Sequence, residues 1–272
     1  MSTWGEDLTA YCRWLKAAGR AKATIDKRRN DISQLARWAG RRSSRNMTLD
    51  LLADFLSERD HLKPASRAAL RSSLLGFFGW MHLTARTRSN PAELLPAVRI
   101  PATEPNPVDL LAYYTALHNA RPDVRLMLQL GRYAGLRRGE IAALRVESVH
   151  FADGYLRILG KGGRTRVVDL HPDLARHLQS FLAGRTAGYV FVSTTGDRYL
   201  SHTVGVLVSN VLPTGWACHS LRKRFATDAH EASGGDLRVV QELLGHSSPT
   251  ETAKYVRVNA QRRKSAVLNI PA

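Results

Sequence analysis

The chain has 272 residues, 44% of them hydrophobic, which is enough for a real core and for one large domain or two ordinary ones. Lys and Arg number 40 against 23 Asp and Glu, a formal charge of +17 with an isoelectric point near 10.6. The excess is no tail: residues 1–107 carry 18 basic and 10 acidic side chains, and residues 108–272 carry 22 and 13. A polyanion is the natural partner of such a chain, because Lys and Arg on phosphates release condensed counterions. Two cysteines, Cys12 and Cys218, make neither a disulfide framework nor a zinc site and fit a reducing cytoplasm. The N-terminus lacks the basic and apolar regions of a signal peptide, and no apolar run approaches the length of a membrane span. A cytoplasmic protein with no membrane partner is expected.

In chain order, residues 3–18 place Trp4, Leu8, Tyr11, Cys12 and Leu15 on one helical face, and Gly19 ends that helix. Thr24 is the expected N-cap of a second helix, with Ile25, Ile32, Leu35 and Trp38 inward and Gly40 at its close. Thr48 caps a third, bearing Leu49, Leu52, Phe55 and Leu56. Pro64 and Ser66 open a fourth, bearing Leu70, Leu74, Phe77 and Phe78. The polar faces of the second and fourth helices hold Lys27, Arg28, Arg29, Lys63, Arg67 and Arg71. Each alone is ordinary solvated surface; together, at this net charge, they lean towards phosphate contact. Pro96, Pro101, Pro105 and Pro107 forbid a continuous helix. The expected organisation is therefore a helical bundle over 1–95, a proline-rich linker over 96–107 and a second domain with a C-terminal tail over 108–272.

In the second domain, helices are expected at about 108–119 and 122–134. Gly135 breaks the latter, and Glu140 opens the next with Leu144 inward. Tyr155–Leu159 and Arg166–Leu170, joined by Gly160-Lys161-Gly162-Gly163, carry a hairpin signature. A helix over 173–183 after His171-Pro172, a short strand over Tyr189–Val192 and a helix from Ser201 to about 211 follow. Val256, Val258, Val267, Leu268 and Ile270 make the last segment an apolar tail, too short to fold alone.

The chemistry-bearing residues concentrate late. His219 and Arg222 lie one helical turn apart, so both can face one pocket. His246 follows Gly245, and Tyr255 comes nine residues later. Arginine grips two oxygens of one phosphate, histidine moves protons near neutral pH, and tyrosine is a covalent nucleophile once activated. Arg137 sits at a glycine-bordered helix junction. Taken singly, each has a bland alternative: a surface arginine, a helix-face pair, a polar residue at a helix end, a packed aromatic. Lys161 at the tip of a glycine-rich hairpin is not a phosphate-loop lysine, because Tyr155 and Gly162 stand where that motif needs glycine and Ser or Thr. On a mobile hairpin it can donate a proton to a neighbouring site; a plain turn lysine is the alternative. No clustered carboxylates of a two-metal nuclease are found.

Gly135-Leu136-Arg137-Arg138-Gly139-Glu140, Gly160-Lys161-Gly162, His219-Ser220-Leu221-Arg222, Leu244-Gly245-His246-Ser247-Ser248 and Tyr255 together resemble the tyrosine recombinases of the phage integrase family. The resemblance extends to Asn90-Pro91-Ala92 before the linker and covers nearly the whole chain, in the family's short form without an arm-binding domain. It implies a mainly α fold with a small β-sheet: a helical core-binding bundle, then a mixed α/β catalytic domain. It implies site-specific cleavage and rejoining of DNA through a 3′-phosphotyrosyl intermediate, with no cofactor and no metal. Tyr255 is then the nucleophile, Arg137 and Arg222 hold the non-bridging oxygens, and Lys161 is the general acid. His219 assists proton transfer, His246 hydrogen-bonds the phosphate, and Glu140 orients the site from behind.

The resemblance further implies double-stranded DNA sites as partners and a homo-tetramer on two of them, with the C-terminal tail exchanged between subunits. It leaves a place for accessory DNA-bending or directionality proteins. Lys223 and Arg224 depart from the family's usual His and Thr or Ser, adding two cations beside Arg222 that bear on DNA contact; Asp169 replaces a common proline. Two rival readings are a non-catalytic DNA-binding regulator on the same scaffold and a type IB topoisomerase-like relaxing enzyme.

Overall fold

The structure is a computed structural model, and it describes residues 4–101, 106–160, 163 and 165–245. The chain folds as two compact units, Met1–Thr103 and Glu104–Ala272.

The first unit is built from four helices: α1 (Trp4–Ala17), α2 (Lys22–Ala39), α3 (Leu49–Ser57) and α4 (Pro64–Leu83). Their apolar faces meet in a core of Tyr11, Leu15, Ile32, Leu35, Leu52, Phe55, Leu74, Phe77 and Phe78. Tyr11 meets Phe77 edge-on, with ring centroids 5.3 Å apart, a favoured aromatic geometry. Two buried carboxylates are satisfied inside the bundle. Asp7 accepts from Ser44 Oγ at 2.6 Å and Arg86 Nη1 at 3.0 Å, and Asp31 accepts from Lys27 and from Ser73 Oγ at 2.7 Å. Thr48 caps α3, its hydroxyl accepting from the Leu51 N–H at 3.3 Å. Thr24 caps nothing. Helix α2 starts earlier, at Lys22 after Ala21, and Thr24 lies in its first turn.

In the second unit, α5 (Leu110–Asn119) is capped by Asp109, whose Oδ1 accepts from the N–H groups of Leu111 and Ala112. Helix α6 (Pro122–Tyr133) is the axis of the core, with Val124, Leu126, Met127, Leu128 and Leu130 all buried. A helix with so broad a buried face has to be wrapped by others. Here these are α5, α8 (Pro172–Leu182), α9 (Ser201–Val211) and α10 (Cys218–Ala232). Helix α7 (Arg138–Ala143) is one and a half turns long, and α11 (Leu237–Leu244) is capped by Asp236.

The sheet is a three-stranded antiparallel meander of β1 (Val149–His150), β2 (Tyr155–Leu159) and β3 (Thr165–Asp169). Its register pairs Tyr155 with Asp169 and Leu159 with Thr165, and Leu156, Ile158 and Val168 face the core. Tyr189–Val192 is no strand. Val190 and Phe191 are buried, but pairing is limited to single bridges, Arg145 with Tyr189 and Val192 with Arg198. The segment is held instead by isolated bonds such as Val190 N–H to the Leu144 carbonyl at 2.9 Å. The apolar content expected of a strand is used for core packing without a ladder. The result is a mainly α fold with one small sheet. No helix among the described residues is long and apolar enough to cross a membrane.

Candidate active site

The site is built where α6 stops. Ala134 ends that helix, and Gly135 turns the chain at φ +60°, a conformation that costs glycine little. A Cβ at Gly135 would also stand 2.5 Å from Phe225 Cδ1, so space and backbone both require glycine here. Arg137 then becomes the N-cap of α7, which starts at Arg138, two residues before the Glu140 expected to open it. Glu140 lies at the third helical position and reaches back. Its Oε2 accepts from the Arg137 backbone N–H at 2.9 Å, satisfying a donor that the helix start leaves open. Its Oε1 accepts from Arg137 Nη1, also at 2.9 Å.

A second arginine reaches the same carboxylate from the sheet. Arg166 of β3 donates Nη1 to Oε1 and Nη2 to Oε2, both at 2.8 Å, a bidentate fork. Its Nε donates to the Leu243 carbonyl at 3.1 Å. Arg222 of α10, wholly buried, lies 4.0 Å from Glu140 Oε2. It donates Nη1 to the Gly135 carbonyl and Nη2 to the Leu244 carbonyl, the latter at 2.7 Å. These two carbonyls, one at each helix end, fix the plane of its guanidinium.

Burial alone would raise the Glu140 carboxyl. The hydrogen bonds and charge of Arg166, the Arg137 N–H and the charge of Arg222 outweigh it and hold the group at about 2. Glu140 is therefore an anion at any working pH, balancing three cations. His219 sits below its ordinary 6.5, first because protein atoms crowd it and then because Lys223, Arg222 and Arg137 are positive. Its imidazole is neutral at pH 7, the state that accepts a proton.

Arg137, Glu140, His219 and Arg222 line one cavity of about 840 Å³, which Ser201, His202, Gly205 and Val206 of α9 also line. Gly160, the residue before Lys161, lines it too. Arg137 keeps 39% of its side chain exposed there, so it can meet a ligand while Arg222 is clamped from behind. Lys161, His246, Tyr255 and the tail 256–272 lie outside the described residues.

The expected DNA-contact residues divide. Arg29 and Lys63 are exposed. Lys27 is exposed as well but pairs with Asp31 at 2.8 Å. Arg28 donates to the Tyr11 hydroxyl at 2.7 Å, and Arg71 donates Nε and Nη2 to the Leu95 carbonyl, so both guanidiniums serve the bundle. Arg67 and Lys223 are half-buried. Arg224 pairs with Asp228 at 2.9 Å, and Asp228 also pairs with Arg132. Arg166 and the α9 wall were not among the residues singled out from sequence. For Arg166 a signal existed: in a period-2 strand it shares the core face with Val168, and a cation there needs an acidic partner.

A site with two arginines and a histidine around one cavity, on this fold, can be compared with known proteins. The family model described as "Phage integrase family" matches residues 107–262, more than half of the chain. The tyrosine recombinase XerD of Vibrio cholerae is 30% identical over 279 residues, covering 90% of this chain and 89% of the relative.

The chain belongs to the phage integrase family.

The tyrosine recombinase XerC of Chromobacterium violaceum is likewise 30% identical over 273 residues, covering 94% of this chain and 91% of the relative. Among solved structures, a lambda integrase tetramer bound to a Holliday junction matches with a TM-score of 0.77 at 20% identity, over 94% of this chain and 78% of that one. XerH recombinase bound to a palindromic difH substrate matches with a TM-score of 0.72 at 20% identity, over 99% and 85%. These structures bear out the recombinase fold. The chain is a tyrosine recombinase, an enzyme of DNA strand cleavage and rejoining in site-specific recombination. The regulator and topoisomerase readings are not favoured by these relatives.

Proposed function

We propose that Tyr255 is the nucleophile of this recombinase and that Arg137, Arg222, His219, His246 and Lys161 complete its site. The Tyr255 phenolic oxygen bonds to the scissile phosphorus, and the bond from phosphorus to the 5′-oxygen breaks. A 3′-phosphotyrosyl link and a 5′-hydroxyl result. Neutral His219 takes up the phenol proton, and Lys161 supplies one to the leaving 5′-oxygen. Arg137 and Arg222 meet the charge that grows on the non-bridging oxygens, and His246 hydrogen-bonds one of them. Because the covalent link conserves the energy of the bond, a 5′-hydroxyl from a second strand reverses the step and rejoins DNA. What supports this reading is the convergence of Arg137, Glu140, His219 and Arg222, drawn from two stretches of sequence, on one cavity.

Residues 1–95 are proposed as the core-binding domain, 96–107 as a linker and 108–272 as the catalytic domain. Arg29 and Lys63 are the first choices for phosphate contact in the former, being exposed. By analogy with the lambda integrase tetramer bound to a Holliday junction, four copies assemble on DNA. That they bridge two double-stranded sites and exchange residues 257–272 rests on the family resemblance and on the apolar residues of the tail. Accessory bending or directionality proteins then set the outcome, and the enzyme works in the cytoplasm, where the DNA is.

A plasmid carrying two copies of the site recovered from trapped DNA tests the whole reading. Recombinant product should require both copies and vanish in Tyr255→Phe. Product or relaxation from a plasmid with no defined site would contradict it.

A further inference from the structure

Glu140 accepts from the arginine of its own turn, Arg137, at 2.9 Å. Here its strongest partner comes from elsewhere: Arg166 makes both ends of the fork at 2.8 Å and is itself only 9% exposed at the side chain. The third bond of Arg166, to the Leu243 carbonyl, holds the end of α11 next to the Leu244 carbonyl that Arg222 uses. Gly245 packs on the Arg166 stem so closely that a Cβ would stand 2.8 Å from Arg166 Cδ, in a left-handed backbone at φ +61°. One guanidinium thus joins three elements: strand β3, the start of α7 and the end of α11.

We infer that Arg166 is a positioning residue for the phosphate clamp: through Glu140 and the α11 carbonyls it sets the place of Arg137 and Arg222. Its guanidinium bonds Glu140 and Leu243, and it is not among the residues that line the cavity beside Arg137 and Arg222, so it works through other residues and not on DNA. Without it, Glu140 loses the bidentate partner that fixes both of its oxygens. Arg137 then shares a carboxylate that can rotate, and the Leu244 carbonyl that orients Arg222 is no longer tethered through its neighbour. A lysine ammonium at this position restores the charge but, as a point charge on one nitrogen, not the planar fork. The inference rests on the proposed roles of Arg137 and Arg222.

The test uses the full chain and a nicked duplex bearing the site recovered by sequencing DNA trapped on the wild-type enzyme. One duplex has an ordinary scissile phosphate, the other a methylphosphonate with one charged oxygen removed. Arg166→Met should bind both duplexes within about twofold of wild type yet cleave the ordinary one about 100-fold more slowly, the size of effect that misplaced catalytic groups produce. Arg166→Lys should recover part of that loss. On the methylphosphonate, where less charge needs the clamp, the defect should shrink to about threefold or less. A merely structural role would slow both duplexes alike.

Arg166→Met within about threefold of wild type on phosphate, or equal defects on the two duplexes, would overturn the inference. If Arg166→Met does not fold, Arg166→Lys is held to the same comparison. A wild-type enzyme that forms no adduct, or a Tyr255→Phe that still does, overturns the parent reading and this inference with it. A normal wild-type adduct with an unaffected Arg166 variant overturns the inference alone.

Discussion

At the scale of single residues, charge balance explains more than any one contact. Three guanidiniums beside one cavity would repel each other if unbalanced, and Glu140 is the carboxylate that lets Arg137, Arg166 and Arg222 share a site. Its pKa falls from 4.5 to about 2 on folding. The stability from this shift is therefore fully present above 4.5 and is lost as pH falls from there through 2. By linkage it is on the order of 3 kcal/mol. Urea melts of Glu140→Gln should lie well below wild type at pH 7, with the gap closing between pH 4.5 and 2; a gap independent of pH would refute the assignment. His219 makes the opposite kind of prediction. Because its pKa is pushed below 6.5, cleavage should persist as pH drops through 6.5 and its acid limb should lie lower, which single-turnover rates against pH will show. Gly135→Ala needs a left-handed alanine and a displaced Phe225, and should cost about 2 kcal/mol or more in a thermal or urea melt.

At the scale of elements, what was legible followed from periodicity and what was missed followed from tertiary context. The face of α1, the Thr48 cap, the apolar face of α6 and the hairpin could be read because each is set by residues close to one another in sequence. Tyr189–Val192 misled because four apolar residues in a row fit either a strand or a buried loop, and only the neighbours decide. Thr24 misled because Ala21 offered an earlier start and no side-chain cap was needed. The two threonines can be told apart by substitution. Thr48→Ala should cost about 1 kcal/mol, the usual value of an N-cap, whereas Thr24→Ala should stay within about 0.5 kcal/mol. Equal losses in denaturant melts would mean the capping geometry is misread. In the site itself, Arg137, Glu140, His219 and Arg222 were legible through their neighbours, whereas Arg166 was not. Its place on the core face of β3 signals that it needs an acidic partner, but that partner lies 26 residues earlier and nothing local says which carboxylate it is.

At the scale of the whole molecule, the +17 charge divides into cations available to DNA and cations consumed by the fold. Arg28 and Arg71 belong to the second group through Tyr11 and the Leu95 carbonyl, and Arg224 through Asp228. Arg29 and Lys63 are exposed. Affinity for DNA should fall linearly with salt on a log–log plot, and Arg29→Ala or Lys63→Ala should reduce that slope by up to about 1 each. Arg28→Ala and Arg71→Ala should lower the melting temperature and leave the slope nearly intact. Binding isotherms at several salt concentrations, beside melts, separate the two groups. Net charge alone announced a polyanion, but it took side-chain partners and exposure to show that Arg28 and Arg71 serve the bundle while Arg29 and Lys63 face solvent.

The account turns on Tyr255 as a covalent nucleophile served by the Arg137 and Arg222 clamp. The most direct measurement is covalent capture on a nicked suicide duplex, read on a denaturing gel and mapped by peptide mass. Wild type should form one protein–DNA adduct, on the peptide containing Tyr255, through a 3′-phosphate; Arg222→Ala should reduce it at least about 100-fold. An adduct on any other residue, or one that survives Tyr255→Phe, would contradict the account.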